Sequence, residues 1–505
     1  TIKKNEAQQK KTEHIVIAPG RHQRLWTVRP NHDIPEPITP DGITVWEYAW
    51  SPDSKQLALY YSTGPDDTDW YRGQIGIVAA SGGAVRQVSH LTRQASALTW
   101  SPDSTRIAYI SGEWSDPGRG CGDIFVQPIE GGEAGNLTPG IEFSPSWCRW
   151  FPDGRRLLYT ACEGVSHQIG ILDETTGSTT ALSKDFVMKW DQPDLSPTAD
   201  LRCFATMHIS QQHPLDVWFG ELAPAGNQAA SISWQRLSRL NPLIEETTAF
   251  APSEHLRYPS VDGWQIDALF TPPLKRKEAS LPPLFVNVHG GPSGAWCDDL
   301  GMFYTQLLAA AGYAVLRPNT RGSWGRGVAF ADAVLGDMGG KDLQDILYGV
   351  EYLVQQGLVD GNRVSIGGWS NGGFLAAWAI TQTTRFRAAI MAAGISDWHN
   401  MHAQTNLADA DMRLLRADPL KNPEVYRERS PITYASRVTT PTLILHGEID
   451  PAVPVAQGYA FYRALRERNV PVEFVVYPRE GHGLSEPKHV IDSEERLLRW
   501  LERYS

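Results

Sequence analysis

The N-terminal half of the chain repeats a short motif at nearly constant spacing. Trp-Ser-Pro-Asp-Ser occupies residues 50–54 and 100–104, and Trp-Phe-Pro-Asp-Gly follows at residues 150–154. A fainter copy, Leu-Ser-Pro-Thr-Ala-Asp, lies at residues 195–200, so the spacings are 50, 50 and 45 residues. The first three copies precede a short apolar run, and Pro and Asp favour a turn between two strands. Several short strands in a period of this length are typical of a β-propeller blade.

The length of the repeat region predicts the size of the propeller. Residues 14–250, divided by a period of about 47 residues, correspond to about five blades. A β-sandwich with coincidental turns is the alternative, and three copies in register argue against it. We therefore predict an N-terminal β-propeller over residues 14–250. Residues 1–13, rich in Lys, Gln and Glu, would form an N-terminal extension that is either a packed helix or disordered.

The second half contains one Gly-x-Ser-x-Gly sequence, at residues 368–372. A β-branched run at residues 363–367 precedes it, and an apolar run of helical type follows at residues 374–380. A strand that enters a helix through such a tight turn exposes the serine, here Ser370, at the positive end of the helix. Composition alone would produce this motif about 0.3 times in such a chain, so the surrounding sequence must support it.

That support comes from the order of an acid and a histidine further along the chain. Asp450 follows a predicted strand at residues 441–446, and His482 follows a predicted strand at residues 472–477. The order Ser370, Asp450, His482 is the triad order of α/β hydrolases. His482 would take the proton of Ser370, and Asp450 would fix the tautomer of His482. Taken singly, Asp450 could cap a helix and His482 could be a surface residue, but their joint order favours the triad.

A glycine-rich turn supplies a fourth element of the predicted active site. His289-Gly290-Gly291-Pro292 follows a buried strand predicted at residues 284–288. In α/β hydrolases this turn and the residue after the nucleophile donate two backbone N–H groups to an oxyanion hole. We therefore predict that Gly291 and Asn371 form that hole, an ordinary strand-to-loop turn being the alternative. Residues 251–505 would form a C-terminal α/β hydrolase domain with a doubly wound, mostly parallel sheet.

Composition excludes several partners. With 505 residues the chain is too long for one hydrophobic core. A net charge of −11 argues against nucleic acid and anionic membranes, and no apolar run approaches the ~18 residues of a membrane span. Five scattered cysteines without a Cys-x-x-Cys pair indicate a reducing compartment and neither a disulfide framework nor a zinc site. The first residues have no apolar signal segment. We expect a cytoplasmic protein.

These features together resemble the prolyl oligopeptidase family of serine peptidases, above all its acylaminoacyl-peptidase and dipeptidyl-peptidase branch. The similarity extends from about residue 14 to the end and is strongest over residues 284–484. The motifs that carry it, besides the repeat and the triad, are Arg-Gly-Ser-Trp-Gly-Arg-Gly at 321–327, Gly-Asp at 336–337, Ser-Pro-Ile at 430–432 and Tyr-Pro-Arg-Glu-Gly-His-Gly at 477–483.

The resemblance implies a peptidase that acts on short peptides beneath a covering propeller, without a metal or organic cofactor. It favours an exopeptidase that works at peptide N-termini, free or acylated. It also implies that the segment 396–402 lines the primary specificity pocket, where Trp398 and Met401 would provide apolar walls. Burial of both side chains in the core is the plainer alternative.

One position departs from the family pattern. Members often carry an arginine two residues after the triad aspartate, where it holds a substrate carbonyl, and here that residue is Ala452. Alanine cannot replace a bidentate donor, which weakens the acylaminoacyl-specific interpretation. In aminopeptidases of the family a propeller carboxylate binds the free amine, and Glu113, Asp116 and Glu163 are loop candidates for it, although loop carboxylates are usually only solvated.

Two other functions stay open at this point. An esterase or small-amide hydrolase would share the triad but not the preference for peptides. A propeller interaction module with an inert hydrolase domain is less compatible with an intact set of Ser370, Asp450, His482 and Gly291. The sequence leaves open the residue preferred at the scissile bond, the physiological peptide and whether the protein forms a homo-oligomer.

Overall fold

The computed structural model describes residues 20–28, 34–118, 120–184, 186–188, 195–223, 231–275, 280–301 and 304–505. The predicted extension of residues 1–13 lies outside these ranges. Small antiparallel sheets occupy the first half of the described chain, and one eight-stranded mixed sheet occupies the second. The last small-sheet strand ends at Arg236 and the first strand of the large sheet begins at Glu254. The division near residue 250 remains our proposal.

The first half forms four antiparallel sheets of four strands and one of two strands. The four larger sheets are β3–β6, β7–β10, β11–β14 and β15–β18, and each is one blade. The strands are β1 Trp26–Thr27, β2 Glu36–Pro37, β3 Thr44–Trp50, β4 Gln56–Ser62, β5 Gln74–Ala79, β6 Arg86–Gln87, β7 Gln94–Trp100, β8 Arg106–Gly112, β9 Asp123–Pro128, β10 Gly135–Asn136, β11 Ser144–Trp150, β12 Arg156–Glu163, β13 Ser166–Asp173, β14 Thr179–Ser183, β15 Ser196–Pro197, β16 Cys203–His208, β17 Asp216–Leu222 and β18 Ile232–Arg236.

The predicted count of about five blades compares with four complete blades among the described residues. The described residues before β3, 20–28 and 34–43, contribute only the short pair β1–β2, in which Trp26 lies opposite Pro37. The period of the motif is correct, but dividing a residue range by that period treats every part of the range as a full blade.

The repeated motif joins strands and also joins blades. In the second copy, Ser101 Oγ donates to the Asp103 carboxylate at 2.5 Å and accepts the backbone N–H of Arg106 at 3.0 Å, which closes the turn between β7 and β8. The indole N–H of Trp100 donates to the carbonyl of Ala49 in the preceding blade at 3.0 Å. Trp100 is 5% exposed, whereas the equivalent Trp50 of the first blade is 46% exposed.

The second half is an α/β sheet covered on both faces. Its strand order is β19-β20-β22-β21-β23-β24-β25-β26, antiparallel for β19, β20 and β22 and parallel from β22 onward. The strands are β19 Glu254–Pro259, β20 Gln265–Thr271, β21 Leu284–Val288, β22 Ala314–Asn319, β23 Val364–Trp369, β24 Ala389–Ala392, β25 Thr442–Gly447 and β26 Val472–Tyr477.

Ten α-helices occur in the described chain, nine of them in the second half. They are α1 Pro242–Thr247, α2 Thr305–Ala310, α3 Gly327–Asp332, α4 Lys341–Gln355, α5 Asn371–Gln382, α6 Trp398–Gln404, α7 Ala408–Leu415, α8 Pro423–Glu428, α9 Ala456–Arg466 and α10 Pro487–Tyr504. Val286 of β21 belongs to a core cluster that includes residues of α4, α5 and α9, while Phe285 belongs to a second cluster that includes residues of α2 and α10. Every residue of β21 is buried, as expected for an inner parallel strand.

The two halves are joined by charge pairs and backbone bonds. Arg413 pairs with Glu113 at 2.6 Å, and Arg72 pairs with Asp409 at 2.5 Å. In addition, the backbone N–H of Gly164 donates to the carbonyl of Gly325 at 2.9 Å. These contacts hold the propeller against the hydrolase sheet. In the described part of the chain, no helix has the length and apolarity needed to span a membrane.

The repeat provides a stability test with a built-in control. Trp100→Phe removes the donor to Ala49 and leaves a gap at a buried position, so we expect the free energy of unfolding of the propeller to fall by about 1–3 kcal/mol. Trp50→Phe changes an exposed ring and should cost less than about 0.5 kcal/mol. Urea unfolding followed by tryptophan fluorescence would measure both, and equal effects would contradict the bridging function of Trp100.

Candidate active site

Ser370 occupies a strained turn between β23 and α5. Its backbone angles are φ 61° and ψ −120°, a region that residues other than glycine rarely adopt. Two hydrogen bonds hold the turn: the N–H of Ser370 donates to the carbonyl of Ala392 at 2.9 Å, and its carbonyl accepts the N–H of Phe374 at 2.9 Å. The turn therefore places the Ser370 hydroxyl at the carboxyl end of the sheet, beside the N-terminus of α5.

The glycines of the motif are required by close packing. A Cβ atom on Gly368 would lie 2.3 Å from the carbonyl oxygen of Val288, and one on Gly372 would lie 2.1 Å from the same oxygen. A Cβ atom on Gly290 would lie 3.4 Å from the Cβ of Ser370. The end of β21 thus passes directly against the nucleophile turn, and any larger side chain would push the two apart.

The three predicted triad residues form one hydrogen-bonded chain. His482 Nε2 lies 2.9 Å from Ser370 Oγ, and His482 Nδ1 lies 2.8 Å from Asp450 Oδ2. Asp450 is 6% exposed, while Ser370 and His482 are half-buried. This arrangement can remove the hydroxyl proton of Ser370 and stabilise the resulting imidazolium.

Asp450 is held as an anion by several donors. Its Oδ1 accepts the backbone N–H groups of Ala452 at 3.0 Å and Val453 at 2.9 Å. The buried His446 approaches its Oδ2 at 3.5 Å and donates from Nε2 to the carbonyl of Val453 at 2.7 Å. Burial opposes ionisation, but the hydrogen bonds from His446 and His482 outweigh it and lower the pKa of Asp450 to about 2. His446 was not singled out by the sequence, because a histidine that ends a buried strand resembles an ordinary core residue.

His482 lies near carboxylates from both halves of the chain. Burial would lower its pKa, but the hydrogen bond and charge of Asp450, with a smaller contribution from Asp116 of the propeller, raise the pKa of His482 above its ordinary value. Enclosure between the two halves also raises the pKa of Asp116, although its side chain remains accessible to solvent in the cavity.

The two predicted oxyanion residues flank the nucleophile. Asn371 is the first residue of α5 and is buried, and the N–H groups of a helix's first turn have no partner within the helix. Gly291 has φ 113°, which an L side chain rarely adopts, and follows the Gly290 contact with Ser370. Their contribution to an oxyanion hole stays a prediction.

A buried carboxylate secures the loop that carries His482. Glu480 accepts the N–H and hydroxyl of Ser485 at 2.9 and 2.8 Å, the N–H of Glu486 at 2.8 Å, and a bond from His489 Nδ1 at 2.8 Å. Within the described ranges, Glu480, Glu486 and His489 are the one group of acidic, His or Cys side chains close enough to share a metal ion. The oxygens of Glu480 are already occupied by these donors, so we assign the group to loop structure.

Other predicted substrate contacts lie away from Ser370. Trp398 and Met401 are 2% and 6% exposed and belong to the core beneath the sheet, where the indole packs edge-on against Phe374. Neither lines the cavity that contains Ser370. Of the three loop carboxylates, Glu113 pairs with Arg413 and Glu163 pairs with Lys184 at 2.9 Å, while Asp116 lines that cavity.

The cavity at Ser370 has a volume of about 300 Å³ and is mostly apolar. The propeller contributes Asp116 to it. The hydrolase half contributes Ser370, His482, the turn at residues 289–291 and the aromatic residues Trp296, Tyr304 and Trp369. Ser293 links the two halves at this point, since its Oγ accepts the N–H of Ser115 at 3.2 Å.

Comparisons with known proteins agree with this architecture. Residues 300–505 match the sequence model of the prolyl oligopeptidase family. The acylamino-acid-releasing enzyme of Mus musculus is 27% identical over 93% of this chain. The uncharacterized peptidase YuxL of Bacillus subtilis is 35% identical over 50% of it. The chain spans 66% of the mouse enzyme and 39% of the Bacillus peptidase, less than two thirds of either.

A solved structure shows the same fold. The acylaminoacyl peptidase of Pyrococcus horikoshii superposes with a TM-score of 0.77 at 22% identity, over 98% of this chain and 78% of that one. The predicted fold class, a β-propeller followed by an α/β hydrolase, is confirmed.

The hydrogen-bonded chain predicts how Ser370 reacts with a fluorophosphonate probe. The rate of labelling should fall as pH drops through the pKa of His482, above the usual value of about 6.5, because only the neutral imidazole accepts the proton. Asp450→Asn removes the negative charge, so the acid limb should move to lower pH and the limiting rate should fall about 10³- to 10⁴-fold. Gel-based labelling at several pH values measures both effects.

Asp411→Asn is the matched control, because Asp411 pairs with His402 at 3.1 Å outside the cavity. Its labelling rate should equal that of the unmodified protein. An Asp450→Asn protein that reacts at the normal rate would contradict the assigned geometry.

Proposed function

We propose, from the match of residues 300–505 to the sequence model of the prolyl oligopeptidase family, that the chain is a serine peptidase that removes residues from the N-termini of short peptides. The observation that carries the proposal is the chain of hydrogen bonds from Ser370 through His482 to Asp450, at 2.9 and 2.8 Å. Names of the relatives support the reaction class, and the cavity supports the small size of the substrate.

The reaction is acyl transfer in two steps. Ser370 Oγ attacks the scissile carbonyl carbon while His482 Nε2 takes the hydroxyl proton, and His482 then delivers that proton to the leaving amine as the C–N bond breaks. Water attacks the resulting ester, His482 accepts a proton from it, and the proton returns to Ser370 as the acyl group leaves. The N–H groups of Gly291 and Asn371 would hold the oxyanion in both steps.

The propeller restricts what reaches Ser370. The loop between β8 and β9 carries Asp116 into the cavity, and the bond from Ser115 N–H to Ser293 ties that loop to the segment following Gly291. A cavity of about 300 Å³ is too small to admit a folded protein, whereas part of a short flexible peptide fits. This supports oligopeptides as the substrates.

The substrate's N-terminus could be a free amine or an acylated one, and the residues near Ser370 favour one of the two. The mouse relative is named for acylated amino acids, but Ala452 lacks the guanidinium that would bind an acyl carbonyl. Asp116 places negative charge near His482, and a carboxylate in an enclosed cavity attracts an ammonium group. We therefore propose a free amine as the preferred N-terminus.

We also propose a cytoplasmic location, in keeping with the composition. All five cysteines are free thiols. The net charge and the hydropathy of the sequence argue against nucleic acid and membranes as partners, and a homo-oligomer stays open.

Hydrolysis of leucine p-nitroanilide by the unmodified protein and by Ser370→Ala tests the proposal. We expect measurable release of nitroaniline, and a loss of at least about 10⁴-fold in kcat for the variant, because a missing nucleophile stops acylation. Equal thermal midpoints would show that the variant is folded. Hydrolysis of p-nitrophenyl acetate without any peptide or anilide turnover would favour the esterase, and undiminished activity of Ser370→Ala would refute the triad.

Asp116→Asn tests the free-amine preference. Leucine p-nitroanilide should be preferred over its N-acetyl form, and the variant should lose about 10- to 100-fold in kcat/KM on the free amine, the worth of a charge-assisted hydrogen bond. The acetylated substrate is the internal control and should be unaffected beyond any shift in pH optimum. Equal losses on both substrates would show that Asp116 acts only through His482.

A further inference from the structure

We propose that the apolar part of the cavity at Ser370 binds a large apolar side chain, aromatic above all, of the residue that follows the scissile bond. This inference rests on the proposed peptidase function and adds to it the substrate residue that the site selects. The part of the cavity concerned is defined by Trp296, Tyr304 and Trp369, and Ala295 and Cys297 also line the cavity.

The walls of this aromatic pocket present ring surface. The indole N–H of Trp296 donates to the carbonyl of Asn287 at 3.0 Å, and that of Trp369 donates to the carbonyl of His482 at 2.5 Å. Both polar edges are therefore used within the protein. Tyr304 is buried, and desolvation raises the pKa of its hydroxyl above the ordinary value. A pocket of this kind gains from an apolar guest and offers little to a charged one.

The pocket is also held in place. The guanidinium of Arg317 lies over the ring of Trp296, 5.5 Å from its centroid, and pairs with Asp299 at 2.9 Å. Arg317 is fully buried, so this cation cannot move away into solvent. Trp369 directly precedes Ser370, and its indole N–H donates a hydrogen bond to the backbone carbonyl of His482. Because Trp296 and Trp369 are already held in place, no conformational entropy is lost in ordering them when the substrate binds, which favours selectivity.

The volume limits the guest to one large side chain. About 300 Å³ is at the lower end of the range for small-molecule sites. It accommodates a benzyl or indolyl group together with the reacting atoms but not several extended residues. A small side chain would leave much of the aromatic surface without contacts.

The side of the scissile bond follows from His482. The leaving nitrogen receives its proton from His482 Nε2, so the leaving residue must lie next to that imidazole. His482 and Trp369 both line the cavity, and the indole N–H of Trp369 donates to the backbone carbonyl of His482. The aromatic pocket is therefore continuous with the leaving-group side of the reaction centre.

The test compares three dipeptide amides, Ala-Ala, Ala-Phe and Phe-Ala, with free N-termini. For the unmodified protein we expect kcat/KM on Ala-Phe amide to exceed that on Ala-Ala amide by about 10- to 200-fold, the range that apolar pockets achieve. Ala295→Leu fills the pocket and should reduce this ratio to about threefold or less, because kcat/KM on Ala-Phe amide should fall more than kcat/KM on Ala-Ala amide. Ala295→Val should give an intermediate ratio, and it decides the question if the leucine variant does not fold.

Ala310→Leu is the matched control, because Ala310 is exposed on α2 in the same half of the chain. It should leave all three rates unchanged. A wild-type ratio near one, or a ratio that the Ala295 variants do not change, would overturn the inference. The inference would also be overturned if the Ala295 variants lost kcat/KM on Phe-Ala amide alone, because that result would place the pocket on the acyl side of the scissile bond. Failure of the unmodified protein to cleave any of the three amides would instead count against the proposed peptidase function.

Discussion

The close approach of the end of β21 to the turn around Ser370 is the constraint on which the site depends. Val288 directs its carbonyl oxygen at both Gly368 and Gly372, which leaves no room for a Cβ atom on either residue. The same strand continues into the turn that carries Gly291. One packing contact therefore fixes the strained backbone of the nucleophile and the predicted oxyanion donor relative to each other. This contact fixes the position of the Ser370 hydroxyl, and His482, held by Asp450, forms its hydrogen bond to that hydroxyl.

Charge at the site is supplied by both halves of the chain. Asp450 is buried among donors and stays ionised well below neutral pH, so it can hold the imidazole of His482 in one tautomer over a wide pH range. Asp116 approaches the same histidine from a propeller loop. The two carboxylates differ in purpose because they differ in surroundings. Asp450 accepts two backbone N–H groups of its own turn and a hydrogen bond from His482, whereas Asp116 lines the cavity at Ser370 and can accept a bond from a substrate.

Much of the hydrolase half could be predicted from the sequence, because inner parallel strands are continuous apolar runs and the motif glycines mark contacts. The strand bounds at residues 284–288 and 472–477 agree with the structure, and the three triad residues meet. Trp398 and Met401 show the limit, since apolar residues at helical spacing line a core and a pocket equally well. The pairing of Glu113 with Arg413 was not predictable, because the two are 300 positions apart and belong to different halves. The blade count exceeded the four complete sheets, because the described residues before β3 form only the short pair β1–β2.

The bond between Ser115 and Ser293 has a consequence for biosynthesis. Ribosomes make the propeller before the hydrolase half, and domains fold as units, the earlier one first. When the segment with Ser293 and later Ser370 emerges, the loop that will roof the cavity already exists as part of a folded blade. The hydrolase sheet would then fold against a propeller that is already in place. Ser370 would be covered as its turn forms and would not be exposed to other nascent chains on the same messenger RNA.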